Sequence, residues 1–180
     1  MGAQLWYQFS SPQESPLDAL HELQDQRVAD YDLPSMIEET LKGARDAVEE
    51  CRRDDPCEIL ELYESFLFDI EQVAAAEIPD DWQGRLEILN KLNAGSGEGL
   101  GNILDVLGVS DDEEFGYAYL YSDEELSQQF EIERPTIAEA KAAIEEINTE
   151  LHRGESVCFR VFAEDRTSLA GWCFVGNSVD

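Results

Sequence analysis

The stretch from Thr136 to Val175 constrains the fold most, because it reads as one helix followed by one hairpin. Thr136 with Glu139 three residues on is a capping box, the reciprocal pairing that satisfies the free amides opening a helix. Ile137, Ala140, Ile144, Ile147 and Leu151 then fall on one stripe. Arg153 suits a helix C-terminus, and Gly154 is a natural left-handed stop. Val157, Phe159 and Val161 next alternate with Cys158, Arg160 and Phe162, which is strand periodicity. After Glu164-Asp165-Arg166-Thr167 a second run, Leu169 to Val175, folds back. A helix beside a hairpin predicts an α+β domain.

The chain of 180 residues is most simply one acidic domain over 1–180, since domains commonly run to roughly 100–200 residues. At that size it should bury about 70% of the surface its unfolded chain exposes. Its charge is unusual: 41 Asp plus Glu oppose 12 Lys plus Arg, a formal net charge of −29. Such a field repels nucleic acid and anionic membrane and draws basic partners. The only lysines are Lys42, Lys91 and Lys141. Few lysines beside many acids also fit adaptation to a salty cytoplasm, but Glu outnumbers Asp and four cysteines are kept. Met1 to Phe9 lacks a basic leader and a long apolar core, and no window reaches the roughly 20 apolar residues of a membrane span. The expectation is a cytoplasmic protein with reduced thiols.

Along the chain, Ala3, Leu5, Tyr7 and Phe9 alternate with Gln4, Trp6 and Gln8, an opening strand. Ser15-Pro16 starts a helix, with Ser as N-cap and Pro in the first turn. Leu33-Pro34-Ser35 starts a longer one, with Ser35 and Glu38 as a second capping box. Asp54-Asp55-Pro56 breaks it and starts a third, which carries Ile59, Tyr63, Phe66, Leu67, Ile70 and Val73. Two long helices joined by so short a turn predict an antiparallel αα-hairpin. Pro79-Asp80-Asp81 starts a fourth helix. The segment from Asn93 to Gly101 is glycine-rich, and Asn102 to Leu107 reads as one helical turn or a short strand. Phe115, Tyr117, Tyr119 and Tyr121 alternate as a further strand, and Ser122 with Glu125 caps a short helix.

In the order of its motifs at Asn102 to Val106, Ser122 to Leu126, Arg134-Pro135-Thr136 and Arg153-Gly154, the chain resembles a family of bacterial hypothetical proteins. These are small domains of about this length that begin Met-Gly-Ala and end in an aromatic hairpin. The resemblance covers mainly the C-terminal half. It implies one domain and no activity.

No motif marks a catalytic or cofactor site. Gly95 and Gly97 would need a third glycine at position 100, which is Leu100, so the dinucleotide fingerprint fails. No Gly-Lys-Ser/Thr follows, and Ser96 lies between Ala94 and Glu98 without the glycines of a nucleophile elbow. Cys51 and Cys57 flank the Asp54-Asp55-Pro56 turn. Cys158 and Cys173 are equidistant from Asp165-Arg166, so a two-residue turn would place them directly opposite. No Cys-x-x-Cys occurs, and only His21 and His152 are present, so neither zinc nor a cofactor is expected. His21 follows Asp18 at i+3 without a supporting metal pattern, and His152 suits a helix C-terminus. Asp111-Asp112-Glu113-Glu114 lacks the ligand spacing of an EF-hand. The tyrosine row reads first as core and second as a ligand groove.

The fold expected is an antiparallel sheet of about four strands with helices on one face, the αα-hairpin included. Three functional readings stand, in this order. The first is a non-enzymatic binding module that docks a basic partner, as an immunity protein or a nucleic-acid mimic does. Its docking face would be the acids of the two long helices, Glu38, Glu39, Asp46, Glu49, Glu50, Glu61 and Glu64. The second is an enzyme with a carboxylate site that no motif reveals. The third is a domain whose acidity serves solubility.

Overall fold

Five strands form one mixed sheet in the computed structural model, which describes residues 4–53, 59–94 and 99–178. The elements among these residues are β1 (Leu5–Phe9), α1 (Pro16–Ala29), α2 (Leu33–Arg53), α3 (Leu60–Ala75), α4 (Trp82–Asn93), a 3-10 turn (Ile103–Asp105), β2 (Gly108–Ser110), β3 (Tyr117–Leu120), α5 (Asp123–Phe130), α6 (Ile137–Glu150), β4 (Ser156–Phe162) and β5 (Leu169–Asn177). The α+β class holds. The chain divides into two compact units, Met1–Arg27 with Glu98–Asp180, and Val28–Gly97.

The first unit holds the sheet, in the order β1-β5-β4-β3-β2. β1 and β4 each pair antiparallel with β5, whereas β3 pairs parallel with both β4 and β2. The expected four-stranded antiparallel sheet is therefore corrected to five strands with a parallel half. The parallel half arises because the chain from β3 to β4 passes through α5 and α6 and re-enters in the same direction. β2 has no signature in the sequence, because a strand of three residues spans only about 7 Å and shows no alternation. That shortness also lets the loop after Ser110 return to Tyr117 for a parallel pairing, with Gly116 at φ 83° closing the turn.

One face of the sheet carries Val157, Phe159, Val161, Cys173 and Val175, which pack with Leu126 and Phe130 of α5 and with Ala140, Ala143, Ile144 and Ile147 of α6. Phe159 and Ile147 are fully buried. Truncating a side chain such as Phe159 to Ala would cost about 3–5 kcal/mol. Cys158 and Phe174, on the opposite face, are fully buried too. The segment leading into α1 is tied to that part of the sheet, where Trp172 Nε1 donates to the carbonyl of Gln13 at 3.1 Å. Both faces of the central strands are closed, one by α5 and α6 and the other in part by the segment leading into α1.

Both capping boxes expected in this unit form, and Asn102 with Asp105 makes a third at the 3-10 turn. Thr136 Oγ1 accepts from Glu139 N, and Glu139 Oε2 accepts from Thr136 N at 2.9 Å. Ser122 and Glu125 repeat the exchange at α5. Each such cap contributes about 1 kcal/mol. The helix ends differ from expectation. α6 stops at Glu150 with Leu151 as its C-cap, so Arg153 and Gly154 lie beyond it in the turn to β4.

The second unit contains α2, α3 and α4. α2 is capped by Asp32, whose side chain accepts from Ser35 N and whose carbonyl accepts from Met36 N, so Ser35 lies inside the helix and is not its cap. Arg45 pairs with Glu71 and Arg52 with Glu64, which sets α2 and α3 side by side and antiparallel. The predicted turn at Asp54-Asp55-Pro56 lies outside the described residues. Asp81 caps α4 by accepting from Gly84 N at 2.8 Å.

Candidate functional site

The acids expected to form a docking face are spread over two helices of the second unit. Glu38, Glu39, Asp46, Glu49, Glu50 and Glu61 are exposed, and Glu64 is half-buried. Two of them serve ion pairs within the unit: Glu49 binds Arg53 one turn on, at 2.6 Å, and Glu64 binds Arg52 at 2.7 Å. The five carboxylates of α2 share that helix with Lys42, Arg45, Arg52 and Arg53. Opposite charges interleaved on an exposed helix give little net field.

α3 carries Glu61, Glu64, Asp69 and Glu71 with no Lys or Arg, and a second acid-rich stretch lies in the first unit. Between Asp111 and Glu155, fourteen carboxylates stand against Arg134, Lys141 and Arg153. Within this span a cleft of about 400 Å³ opens beside β3. Strand alternation sends Tyr117, Tyr119 and Tyr121 to one side of β3, and all three line it with Phe115. The loop after β2 adds Glu113 and Glu114, α5 adds Gln129, the last residue of α6 adds Glu150, and the turn to β4 adds His152 and Glu155. Among the described lining residues four are carboxylates and none is Lys or Arg. Three other surface clefts each contain an arginine: Arg134 with Arg166 in one, Arg134 in another, Arg160 in the third.

The cleft wall is fixed by packing. Tyr119 and Tyr121 meet edge to face with centroids 5.3 Å apart, and Tyr121 meets Phe130 likewise at 5.8 Å. Such pairs contribute about 0.5–1.5 kcal/mol beyond burial. Tyr119 and Tyr121 also pack against the α5–α6 core. Tyr119 Oη donates to Glu125 Oε1 at 2.6 Å. That bond, with burial and the nearby Glu125 and Glu113 charges, holds the phenol up at about 12. The same bond draws Glu125 below the usual carboxylate range. Burial first, then the charges of Glu125, Glu113 and Glu150, raise Tyr121. The rim differs from the wall: Phe115 keeps 76% of its surface exposed. The tyrosine row therefore packs against the core on its inner part and lines the cleft on its outer part.

The remaining candidates resolve into structural roles. Asp105 accepts from the amides of Leu100 and Gly101, each at 2.6 Å, and from Asn102 at 3.3 Å. An internal carboxylate thus occupies the amide cradle a phosphate would need at the end of the glycine-rich segment; Gly95 and Gly97 lie outside the described residues. Asp18 binds the cap residue Ser15 at 2.6 Å. His152 lies past the end of α6 on the cleft rim, where its amide donates to Glu155. Among the described residues no group of three or more His, Cys, Asp or Glu is placed to hold a metal ion, and no helix is long and apolar enough to cross a membrane.

Cys158 and Cys173 are free thiols; Cys57 lies outside the described residues. Arg166 spans from the hairpin loop to α6, pairing with Glu139 and donating to the carbonyls of Glu133 and Arg134. Among the described residues, Arg166, Glu131 and Arg134 are the non-glycine residues with positive φ.

The cleft was not legible as a site because its carboxylates come from segments some forty residues apart. The usable signal was the spacing of the tyrosines together with the acids that precede them. No family model matches the chain, and neither a curated protein nor a solved structure matches it.

Proposed function

We propose that the chain is a non-enzymatic binding protein that docks a basic partner, and that the docking face is centred on the tyrosine-lined cleft. The observation that carries the reading is the cleft's composition: aromatic walls and four carboxylates with no Lys or Arg among its described lining residues. Cations are attracted both by carboxylates and by the negative faces of aromatic rings. The acids of α2 and α3 contribute a supporting field, diluted by the four cations of α2.

The partner in this reading is a protein. A duplex or single strand of nucleic acid would meet like charge, as would an anionic membrane. Association should be fast and weaken as salt rises, because long-range steering is screened beyond about 8–10 Å at ordinary ionic strength. The test is capture from the source lysate at low salt, followed by a salt gradient. Release of one basic protein at a defined step supports the reading. A smear of unrelated basic proteins assigns the charge to solubility, and an empty column overturns the proposal.

A further inference from the structure

Resting on that reading, we infer that the cleft between β3 and the turn from α6 to β4 takes an arginine side chain of the partner, with Phe115 covering the apolar residue beside it. A guanidinium is planar, so it can lie against a phenol ring while its N–H groups reach carboxylates at the edge. The wall supplies Tyr117, Tyr119 and Tyr121, and the edge supplies Glu113, Glu150 and Glu155. A volume of about 400 Å³ accommodates one long side chain, not a folded element. A neutral side chain of the same length would leave several carboxylates desolvated without compensation, which is how the site would discriminate.

Two features make the cleft ready in advance. The rings of Tyr119 and Tyr121 are locked by their mutual contact, by Phe130 and by the bond to Glu125, so little freedom is lost on binding. Phe115, by contrast, projects with 76% of its surface exposed, between Glu114 and Gly116. An exposed aromatic beside a charged pocket has the makeup of an interface anchor ringed by polar groups.

The test uses a fluorescein-labelled peptide alternating arginine and leucine over six residues, and its counterpart with citrulline in place of arginine. Binding is followed by anisotropy at low salt. The arginine peptide should bind at least tenfold more tightly than the citrulline one. Phe115→Ala, and separately the double variant Glu113→Gln with Glu114→Gln, should each weaken it about tenfold. Both changes are at exposed positions, and thermal melts confirm the fold. The control is Glu38→Gln with Glu39→Gln, which removes the same two charges from α2 and should weaken binding no more than about twofold. Equal losses from the two double variants overturn the cleft as the site while leaving a basic partner in place. Failure of the arginine peptide to bind overturns both.

Discussion

Cys158 and Cys173 lie on neighbouring strands one register step apart, so their thiols face opposite sides of the sheet. Cys158 pairs with Phe174 and Phe159 with Cys173, because β5 carries an irregularity opposite Val161 and Phe162. Had the pairing of Phe162 with Leu169 continued without that shift, Cys158 would have met Cys173 directly. One inserted residue moves every following side chain to the other face.

The prediction is that these two thiols never join within the native fold. Both are fully buried, and burial pushes each thiol well above its ordinary range. Alkylation of native protein should spare Cys158 and Cys173, and denatured, unreduced protein should show both as free. A 158–173 disulfide found by peptide mapping would contradict the register.

Gly171 is predicted to be intolerant of any side chain. It sits at φ 155°, and a Cβ there would lie 2.2 Å from the carbonyl oxygen of Ser10. The clash is with backbone that β1 holds in place, since Ser10 N donates to the carbonyl of Trp172 at 2.9 Å. Gly171→Ala should destabilise the protein by roughly 1–3 kcal/mol or more. Denaturant titration measures this; a loss below about 0.5 kcal/mol, the range of an ordinary surface change, would refute the contact.

The loop between β4 and β5 predicts an acid-sensitive feature. Asp165 accepts from Ser168 N at 2.8 Å, Ser168 Oγ at 2.7 Å and Thr167 N at 2.9 Å. The Ser168 amide chiefly, then its hydroxyl and the Thr167 amide, hold the carboxyl down at about 2, from an ordinary value of 3.8. A carboxyl lowered on folding stabilises fully above its unfolded value, and that stability is lost as pH falls through the folded one. The contribution of Asp165 should therefore be complete above pH 4 and disappear toward pH 2. Asp165→Asn should flatten this part of the acid-unfolding curve. An unchanged curve would mean the turn bonds do not hold in solution.

What the sequence disclosed follows from how local each interaction is. The pairs Thr136 with Glu139 and Ser122 with Glu125 are three residues apart, so their spacing alone revealed the caps. The strand of alternating tyrosines was visible for the same reason. The register of β5 was hidden because it depends on Gly171 meeting Ser10, more than 160 residues away in the chain. The parallel half of the sheet was hidden in a three-residue strand, and the end of α6 was misplaced because Arg153 and Gly154 are needed by the following turn. The predicted acidic face rests on the abundance of acids on long helices. Its weakness, four cations on α2, was in the sequence but became meaningful only once Arg52 and Arg53 were seen to pair with Glu64 and Glu49. The cleft joins Glu113 to Glu150 through the fold, and no periodicity announces that.

In the proposed function, recognition is localised at the tyrosine cleft and is not a diffuse property of an acidic surface. Amide chemical-shift mapping during titration with the arginine–leucine peptide tests this most directly. The largest shifts should fall on residues 113–121 and 150–157, with Phe115, Tyr117 and Glu155 foremost and with small changes along α2. Shifts of equal size spread over α2, α3 and the acidic loops would contradict it, and would leave the charge of this protein as a field without a site.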